Sequence, residues 1–526
     1  MTRRILLTLA LATLALGCAG FRRYHGPPEV SPPPPSRAET ALDRALAAAA
    51  IDPRASASGV VLLDDGEDAL LARLALLNLA GRSLDLQTYI FELDGAGKRI
   101  LGRLLAAADR GVRVRLLLDD TTLSANEREW SAVDLHPLVE VRAFNPFPSR
   151  RASGLARLVD YASDFARLNH RMHDKVLIAD GGWAIVGGRN VGNDYFQLSK
   201  VANFRDLDLL TAGRAAADVA GVFDRFWNSG WAVPVSALGG EPASLGELRA
   251  LRDRLQRSES RRERFPQPAD LAPAGGPLAV VSPAERLMRS EVRVLAEGPE
   301  KLEGGGPVTA PVLLDLVRGA RRSVDVDVAY LVLPEAGVRA VRDAVARGVR
   351  VRVLTNSLAT NDVVATHAGY LPTRRALLEA GVELWELRPT GSSGHTVRFV
   401  VPSGSRASLH SKAVVIDERT VFLGSMNLDP RSLQINTEVG LLVESPELAA
   451  QLEAFFAAGR QPENAWRVRL AREIDPALAG SPAGARVVWV EERADRRRVW
   501  RHEPQAGFWR RLQAFLLWGL PLRHQL

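Results

Sequence analysis

Two short stretches of the chain carry residues able to do acid–base and phosphate chemistry, and both carry them at the same spacing. The shared positions are His173, Lys175, Asp180, Gly188 and Asn190 in the first copy, and His410, Lys412, Asp417, Ser425 and Asn427 in the second. The two copies lie 237 positions apart. One match of this kind arises by chance, but two in the same register indicate a duplicated functional element.

These residue types suit chemistry on a phosphodiester. Side chains two apart on a strand share a face, so each histidine is expected to project beside its lysine. Two such faces brought together would supply two imidazoles, two ammonium groups and two amides. The lysines and the Gly188/Asn190 and Ser425/Asn427 segments would hold the non-bridging oxygens. One imidazole would attack phosphorus while the other protonates the departing oxygen.

Other polar residues near the motifs have simpler interpretations. Asp180 and Asp417 are kept as motif members, but each follows a strand and is also a common turn former. His170 is out of phase with the strand face and is expected to be structural or to lie at the rim. His367 and His395 are expected in solvated loops. No carboxylate-rich ligand set is apparent, so neither a metal nor a cofactor is expected.

Two strand–helix–strand units position these motifs. The first has strands at 84–90 and 112–118 around a helix at 98–110, and the second has strands at 323–328 and 349–354 around a helix ending at Arg347. Gly111 and Gly348 stop the two helices and are again 237 positions apart. The pattern predicts a duplicated α/β domain. After each motif lysine, an apolar strand, a turn and a return strand follow, at 183–186 and 420–423.

Length and composition agree with two folded domains. The chain has 526 residues, with 46% hydrophobic and 25% charged residues, which excludes a disordered or polytopic membrane protein. Its formal charge is +7, which suits an anionic partner such as phospholipid or nucleic acid. Arginines alternate on two predicted strands and are expected to face solvent or the other half, not to form a nucleic-acid patch; they are Arg113, Arg115, Arg350 and Arg352.

The N-terminus has the pattern of a secretion signal. Arg3 and Arg4 precede an apolar run at 5–16 that is too short to span a bilayer, and Gly17 and Cys18 follow. The segment resembles a bacterial lipoprotein signal in which Cys18 would become the lipidated first residue. An ordinary secretory signal with an incidental cysteine is the alternative. Ala19 after Cys18 favours, by the same resemblance, the outer membrane and its periplasmic face.

These features divide the chain into six segments. We expect a signal peptide at 1–17, a lipidated N-terminus and Pro-rich tether at 18–55, a first domain at 56–233, a linker at 234–305, a second domain at 306–475 and a C-terminal extension at 476–526. The extension contains an aromatic and apolar helix at 508–518 with an arginine pair. That helix would lie either in a lipid interface or against the body of the protein.

The duplicated motif resembles that of the phospholipase D superfamily, His-x-Lys-x4-Asp followed by Gly-Gly/Ser-x-Asn. Segments outside the motif are similar to bacterial cardiolipin synthases of the C type, namely 169–172, 189–196, 204–208, 354–357, 367–370, 427–432 and 508–512. The resemblance implies two pseudo-symmetric phospholipase D-like βαβ sandwich domains, packed face to face with the active site at their interface.

The resemblance also implies a role for individual residues. His173 would be the nucleophile that carries the phosphatidyl group, and His410 the general acid and then base. An acidic residue downstream of each motif would orient that motif's histidine, which gives Asp206 to His173 and Glu438 to His410. No metal and no cofactor take part.

The leading functional hypothesis is a metal-independent phosphatidyltransferase that joins two phospholipids, as in cardiolipin synthesis. The expected partners are phosphatidylglycerol, phosphatidylethanolamine and a membrane surface, without nucleic acid. A hydrolytic phospholipase D is the first alternative, because water need only replace the acceptor lipid. A secreted nuclease and a non-catalytic lipid-binding lipoprotein are weaker alternatives, since both motifs are complete and anchor signals are present.

Overall fold

The computed structural model describes residues 24, 39–150, 154–260, 287–389, 405–493 and 496–519. The expected signal peptide, Cys18, most of the Pro-rich tether and His395 lie outside the described residues. Within the described residues, no helix is both long and apolar enough to cross a membrane.

The described chain is a mixed α/β structure. Its strands are β1 (Ala57–Leu63), β2 (Ser83–Thr88), β3 (Arg113–Asp119), β4 (Val139–Phe144), β5 (Val176–Ala179), β6 (Trp183–Gly187), β7 (Ala202–Arg205), β8 (Asp208–Ala212), β9 (Ala232–Pro234), β10 (Met288–Ala296), β11 (Ser323–Val328), β12 (Arg350–Asn356), β13 (Glu383–Leu387), β14 (Arg406–Leu409), β15 (Lys412–Ile416), β16 (Thr420–Gly424), β17 (Val439–Glu444), β18 (Ala465–Leu470), β19 (Val487–Arg493) and β20 (Arg496–Trp500).

Helices cover these strands. They are α1 (Ala41–Ala48), α2 (Gly66–Leu79), α3 (Gly95–Asp109), α4 (Asp120–Leu123), α5 (Glu127–Val133), α6 (Gly154–Ser163), α7 (Phe165–Leu168), α8 (Arg214–Trp227), α9 (Leu245–Ser260), α10 (Thr309–Gly319), α11 (Glu335–Ala346), α12 (Val364–Glu379), α13 (Pro446–Gly459) and α14 (Phe508–Trp518). Short 3₁₀ turns and one π-helical turn at Arg431–Ile435 complete the secondary structure.

Strand pairing joins eighteen of the strands in one sheet. The first half contributes β9-β4-β3-β2-β5-β6-β8-β1 in spatial order. The second half continues with β10-β17-β16-β15-β11-β12-β13-β18-β19-β20. Antiparallel pairing of β1 with β10 connects the halves. Outward from this pair, equivalent strands follow in the same order, so a pseudo-twofold axis passes between β1 and β10.

The predicted α/β fold class is confirmed by this architecture. Each half contains the expected parallel βαβ unit, β2–α3–β3 in the first and β11–α11–β12 in the second. Gly111 and Gly348 end the two helices with φ of 92° and 89°. Glycine suits this position because the left-handed region carries no steric cost for it.

Three expected domain boundaries are wrong. Strand β10 lies inside the expected linker at 234–305, yet it pairs with both β1 and β17 at the centre of the sheet. Helix α1 lies inside the expected tether at 18–55, but Thr40 caps it and Leu42 and Leu46 are buried in the first core. In the expected extension at 476–526, β19 and β20 lengthen the sheet of the second half.

The two halves share one hydrophobic core in addition to a core of their own. The shared core contains residues of α8 and β6 from the first half and of α13 and β15 from the second. Arg115 was expected to face solvent or the other half, and this expectation is wrong, because the side chain packs against its own half. Arg115 is buried, bonds Asp85 at 2.6 Å, and stacks over the rings of Phe223 and Trp227 of α8.

Candidate active site

Each motif histidine lies at the start of a central strand and is fixed by the opposite half of the molecule. His173 and Lys175 directly precede β5, and His410 and Lys412 stand at the start of β15. The backbone N–H of His173 donates to the carbonyl of Thr437 at 3.0 Å, and that of His410 donates to the carbonyl of Arg205 at 2.9 Å. Strands β7 and β14, one from each half, form a small parallel sheet beside His410. The fold therefore brings the two motifs to one interface.

The orienting carboxylates are exchanged between the halves. Nδ1 of His173 lies 3.1 and 2.9 Å from the two carboxylate oxygens of Glu438. Nδ1 of His410 lies 2.6 Å from Oδ2 of Asp206. The expected pairing within each half, Asp206 with His173 and Glu438 with His410, is therefore wrong. Each acidic residue follows its own motif in the chain, but the interface turns it toward the other imidazole.

Aromatic rings surround both imidazoles. The ring of Tyr89 meets His173 edge-on at a centroid distance of 5.1 Å. Tyr195 and Phe204 lie 5.2 and 5.0 Å from His410 and stack on each other. Only 9% of His173 and 6% of His410 is exposed to solvent. These rings restrict the imidazoles and exclude water from their surroundings. None of them belongs to the duplicated motif, although Tyr195 and Phe204 lie in the family-like segments 189–196 and 204–208.

The motif lysines turn back toward their own histidines. Nζ of Lys175 donates to the carbonyl of His173 at 2.6 Å, and Nζ of Lys412 donates to the carbonyl of His410. Burial lowers the pKa of Lys175 to about 7, although the nearby charge of Glu438 opposes the shift. Burial also lowers the pKa of Lys412. Each ammonium group donates to a backbone carbonyl, and an anion bound beside it would favour its charged form.

The two imidazoles differ in their electrostatic environment. Burial, together with the charges of Lys175 and Lys412, holds the pKa of His173 well below its usual value. Burial and Lys412 also lower the pKa of His410, but Asp206 opposes that change.

The pKa values of the two orienting carboxylates are shifted in opposite directions. Burial raises the pKa of Glu438 to about 7, with Lys175 opposing. Burial alone would raise the pKa of Asp206, but the charge and hydrogen bond of His410, together with the charges of Lys412 and Arg189, outweigh it and lower that pKa. His410 thus faces an ionised carboxylate and accepts a proton more readily than His173.

Gly188 and Ser425 occupy equivalent motif positions but contact the orienting carboxylates. A Cβ atom at Gly188 would collide with Oδ1 of Asp206, so only glycine leaves room for that carboxylate. Oγ of Ser425 donates to Oε2 of Glu438 at 2.5 Å and accepts from the N–H of Val439 at 3.0 Å. Both residues were expected to bind phosphate; these contacts place them behind the histidines, where they set the position of Asp206 and Glu438.

The motif asparagines are buried beside the same site. Oδ1 of Asn190 accepts from the N–H of Ile90 at 3.2 Å. Oδ1 of Asn427 is buried and has no hydrogen-bond partner among the described residues.

Asp180 and Asp417 lie away from the histidines, which corrects their grouping with the catalytic residues. Each stands beyond the far end of its strand, β5 or β15, with positive φ of 53° and 54°. The carboxylate of Asp180 accepts from the backbone N–H groups of Gly81, Arg82 and Ser83 at 2.7–3.2 Å. Asp417 does the same for residues 321–323. Their contacts are those of turn formers that fix the starts of β2 and β11.

The sequence predicted the surroundings of His170 but not those of His367. His170 is half-buried, and its Nδ1 lies 2.8 Å from the carbonyl of Ile435. This agrees with a structural or rim residue. His367 was expected in a solvated loop, which is wrong: it is fully buried in α12, and its Nε2 lies 3.4 Å from Glu503.

No group of three or more histidine, cysteine, aspartate or glutamate residues suitable for a metal ion occurs in the described part of the chain. The basic and amide groups of the site instead suit a phosphate diester, whose oxygens accept hydrogen bonds.

Comparison with known proteins finds relatives along most of the chain. A family model described as cardiolipin synthase, PLD-like domain, matches residues 74–227 and 313–459. Cardiolipin synthase C of Escherichia coli (strain K12) is 37% identical over 472 residues, covering 88% of this chain and 95% of the relative. Cardiolipin synthase of Geobacillus kaustophilus is 26% identical, covering 74% of this chain and 63% of the relative.

A solved structure shares the fold. The crystal structure of phosphatidylserine synthase from Haemophilus influenzae Rd KW20 superposes with a TM-score of 0.53 at 15% identity, covering 80% of this chain and 91% of that protein. At that identity the likeness shows a shared fold.

Proposed function

This chain belongs to the cardiolipin synthase family of PLD-like proteins, and we propose from its site that it joins two phospholipids by transferring a phosphatidyl group through a phosphatidyl-histidine. The observation that carries the proposal is the exchange of carboxylates. Two imidazoles, each held at Nδ1 by an acid from the other half, leave both Nε2 atoms for substrate.

The first step breaks one bond of the donor phosphodiester. With Nδ1–H donated to Glu438, Nε2 of His173 attacks phosphorus and forms a P–N bond. The P–O bond to the departing alcohol breaks, and His410 gives that oxygen its proton. Lys175, Lys412 and the amide of Asn427 stabilise the non-bridging oxygens as charge builds on them.

The second step returns the enzyme to its starting state. Neutral His410 takes the proton from the hydroxyl of the acceptor, whose oxygen attacks phosphorus as the P–N bond breaks. When phosphatidylglycerol is both donor and acceptor, the products are cardiolipin and glycerol. Phosphatidylethanolamine as donor would release ethanolamine in place of glycerol.

The electrostatic difference between the imidazoles supports this division of roles. A nucleophile must be neutral, and His173 has the more strongly lowered pKa. A general acid must be protonated, and His410 faces the carboxylate whose pKa is lowered. A bound phosphodiester adds negative charge between the lysines, which favours protonated His410 further.

Hydrolysis is the competing reaction, because water can take the place of the acceptor hydroxyl. The buried histidines and their aromatic neighbours support transfer, since they limit the access of water. Purified protein in vesicles of phosphatidylglycerol and phosphatidylethanolamine tests this. Cardiolipin as the main product supports the synthase, whereas phosphatidic acid alone would make the protein a hydrolytic phospholipase D.

We also propose that the C-terminal helix rests on the lipid surface. On α14 the side chains of Phe508, Trp509, Phe515, Leu516 and Trp518 are exposed, between 48% and 78%. An aromatic and apolar surface of this kind suits the interface of a bilayer.

The body of the protein holds that helix close to the site. The guanidinium of Arg510 donates to the carbonyls of Leu358 and Asn361. Asp362, which follows Asn361, accepts from the hydroxyl of Tyr330 at 2.7 Å, and its negative charge opposes the lowering of the Lys412 pKa. Docking of α14 would therefore bring the active site to the membrane.

The single cysteine allows a direct test of this contact. A full-length Cys18→Ser, Phe515→Cys chain carrying a polarity-sensitive dye should show a blue-shifted emission with phosphatidylglycerol vesicles. A dye at Leu245→Cys, an exposed position on α9, is the matched control and should show no shift. Equal responses at the two positions would argue against docking through α14.

Lipidation at Cys18 and a place on the periplasmic face of the outer membrane remain part of the same proposal. They rest on the N-terminal sequence pattern alone. Metabolic labelling with a radioactive fatty acid should label the wild-type chain and leave Cys18→Ser unlabelled, and membrane fractionation would identify the membrane.

A further inference from the structure

An apolar cavity lies beneath the sheet of the second half, between α10, α11 and strand β15. It has a volume of about 290 Å³. Among its lining residues only Thr420 and Gln434 are polar. Several of the others, such as Leu314, Val317 and Leu333, are only half-buried, so the cavity can be reached from the surface. We name it the β15 cavity.

The β15 cavity lies along the strand that carries the motif residue Lys412. Residues two apart on β15 share a face, so Lys412 stands in line with Val414 and Ile416, which line the cavity. A second space, bordered by Lys412 and too small to hold a water molecule, shares five lining residues with the cavity: Leu313, Val414, Phe422, Met426 and Leu428. Leu428 also directly follows the motif residue Asn427.

The first half provides an internal comparison, because the same positions there form a packed core. At the positions equivalent to Thr420 and Met426, it has the larger side chains Trp183 and Arg189, both buried. Helix α1 packs into this core with Leu42 and Leu46, and the indole of Trp183 donates to the carbonyl of Leu42 at 3.1 Å.

The second half thus keeps the sheet and the motif but has the smaller side chains of Thr420 and Met426 at these two positions, and both of them line the β15 cavity. Protein interiors are normally close-packed, and the apolar walls of such a space lose contacts unless something fills it. An apolar ligand with a phosphodiester head would fill it while its head reaches Lys412. A hydrocarbon chain needs no polar partner, which matches the walls of the cavity.

We propose that the β15 cavity binds an acyl chain of the phospholipid whose phosphodiester lies between His173 and His410. The inference rests on the proposed function and adds the subsite that holds the lipid tail. The cavity lies in the half that supplies His410. It selects a long-chain lipid over a soluble phosphodiester, because only the lipid buries hydrocarbon beside the site.

Photo-crosslinking tests the location of the chain. Vesicles of phosphatidylglycerol with a diazirine in one acyl chain are incubated with the full-length protein, irradiated, and the adducts are mapped by mass spectrometry. Adducts are expected in peptides that cover α10, α11 and β15. Cardiolipin formed in the same vesicles without irradiation is measured in parallel.

Variants that fill the cavity, compared with a control variant on the same helix, test the same assignment. Ala340 is buried and lines the cavity, so Ala340→Phe should reduce the adducts at least tenfold. Ala346→Phe places the same side chain on an exposed position of the same helix and should leave them unchanged. Gly337→Leu is a second filling variant, because a Cβ there meets only Leu333 at ordinary contact distances of 3.5–3.8 Å.

Kinetics give an independent measurement. In both filling variants, kcat/KM for dipalmitoyl phosphatidylglycerol should fall at least tenfold, while the value for a dihexanoyl substrate below its micelle concentration stays within twofold. Cardiolipin formation with adducts elsewhere, or with adducts unaffected by Ala340→Phe, would overturn the cavity assignment and leave the function standing. Absence of any phosphatidyl transfer by the wild-type protein would instead overturn the proposed function.

Discussion

Oε2 of Glu438 lies 2.9 Å from Nδ1 of His173, a residue 265 positions earlier in the chain and in the other half of the molecule. Asp206 holds His410 in the same manner, 204 positions apart. Each imidazole therefore takes its tautomer and orientation from the opposite repeat. Substitution of the carboxylate in one half is therefore expected to act on the histidine of the other half.

Removal of either histidine should abolish most turnover for different reasons. General acid–base catalysis contributes about 10²–10⁴-fold, and loss of the nucleophile should cost at least as much. After exposure to a phosphatidyl p-nitrophenyl ester labelled in its phosphate, whose leaving oxygen needs no proton, His410→Ala should retain covalently bound label at residue 173, and His173→Ala should retain none. Normal turnover in both variants would refute the assignment, with circular dichroism as the control for folding.

Because the carboxylates are exchanged, variants of Asp206 and Glu438 should respond differently to a change of the leaving group. Asp206→Asn weakens His410, so it should slow reaction with phosphatidylglycerol strongly. It should slow the first step far less with a phosphatidyl p-nitrophenyl ester, which needs no proton on its leaving oxygen. Glu438→Gln acts on the nucleophile and should slow both substrates alike, measured as p-nitrophenolate release in the first turnover. The reverse pattern would instead favour the pairing of Asp206 with His173 and of Glu438 with His410.

Gly188 and Ser425 should differ in their tolerance of substitution. Gly188→Ala places a Cβ against Asp206 and should lower kcat with phosphatidylglycerol about as much as Asp206→Asn does. Ser425→Ala removes one hydrogen bond to Glu438 and should cost about 10-fold, the equivalent of roughly 1.4 kcal/mol. With the p-nitrophenyl ester as substrate, the first turnover of Gly188→Ala should return to near the wild-type rate, whereas that of Ser425→Ala should stay slow.

The pH dependence of kcat/KM should be a narrow bell near neutrality. Lys175 must be charged to bind phosphate and loses its proton as pH rises through about 7. Glu438 must be ionised to hold His173 and gains a proton as pH falls through about 7. Lys175→Arg should move the alkaline limb upward, and Glu438→Gln should remove the acidic limb. A wild-type profile that is flat from pH 5 to pH 9 would contradict both assignments.

Asp180 and Asp417 should contribute to stability more than to chemistry. Each carboxylate satisfies three backbone N–H groups at the start of a strand, and its loss should cost about 1.5–3 kcal/mol of the free energy of unfolding. Denaturant unfolding of Asp180→Ala and Asp417→Ala measures this. The folded fraction should keep kcat within threefold, and a loss comparable to that of His173→Ala would return these residues to the catalytic set.

The sequence predicted those parts of the fold that depend on local patterns. Strand β11 was predicted at its observed bounds, 323–328, because valine and aspartate alternate there between clear turn signals. Strand β10 was missed, although Met288 and Ser290 are buried and alternate with the exposed Arg289 and Glu291. The Pro- and Gly-rich residues before it concealed that alternation.

Residue pairings between distant elements were beyond the same reasoning. The exchange of Asp206 and Glu438 depends on how two halves meet, which no local period encodes. The alternation of Arg115 with apolar residues suggested that it faces solvent or the other half, but an aspartate on the adjacent strand and two aromatic rings of α8 make its burial in its own half favourable. The motif asparagines and lysines were found because their spacing is repeated, whereas Tyr89, Tyr195 and Phe204 belong to no repeated pattern.

The pairing of β1 with β10 also bears on how such a chain arose. A single-repeat ancestor would have exposed this strand edge and carried a histidine without its carboxylate, so it could have worked only as a homodimer. Fusion of two gene copies made the partner permanent and released one repeat from symmetry. Free of that symmetry, the two repeats now differ beside their central strands, where Thr420 and Met426 of the second stand in place of Trp183 and Arg189 of the first.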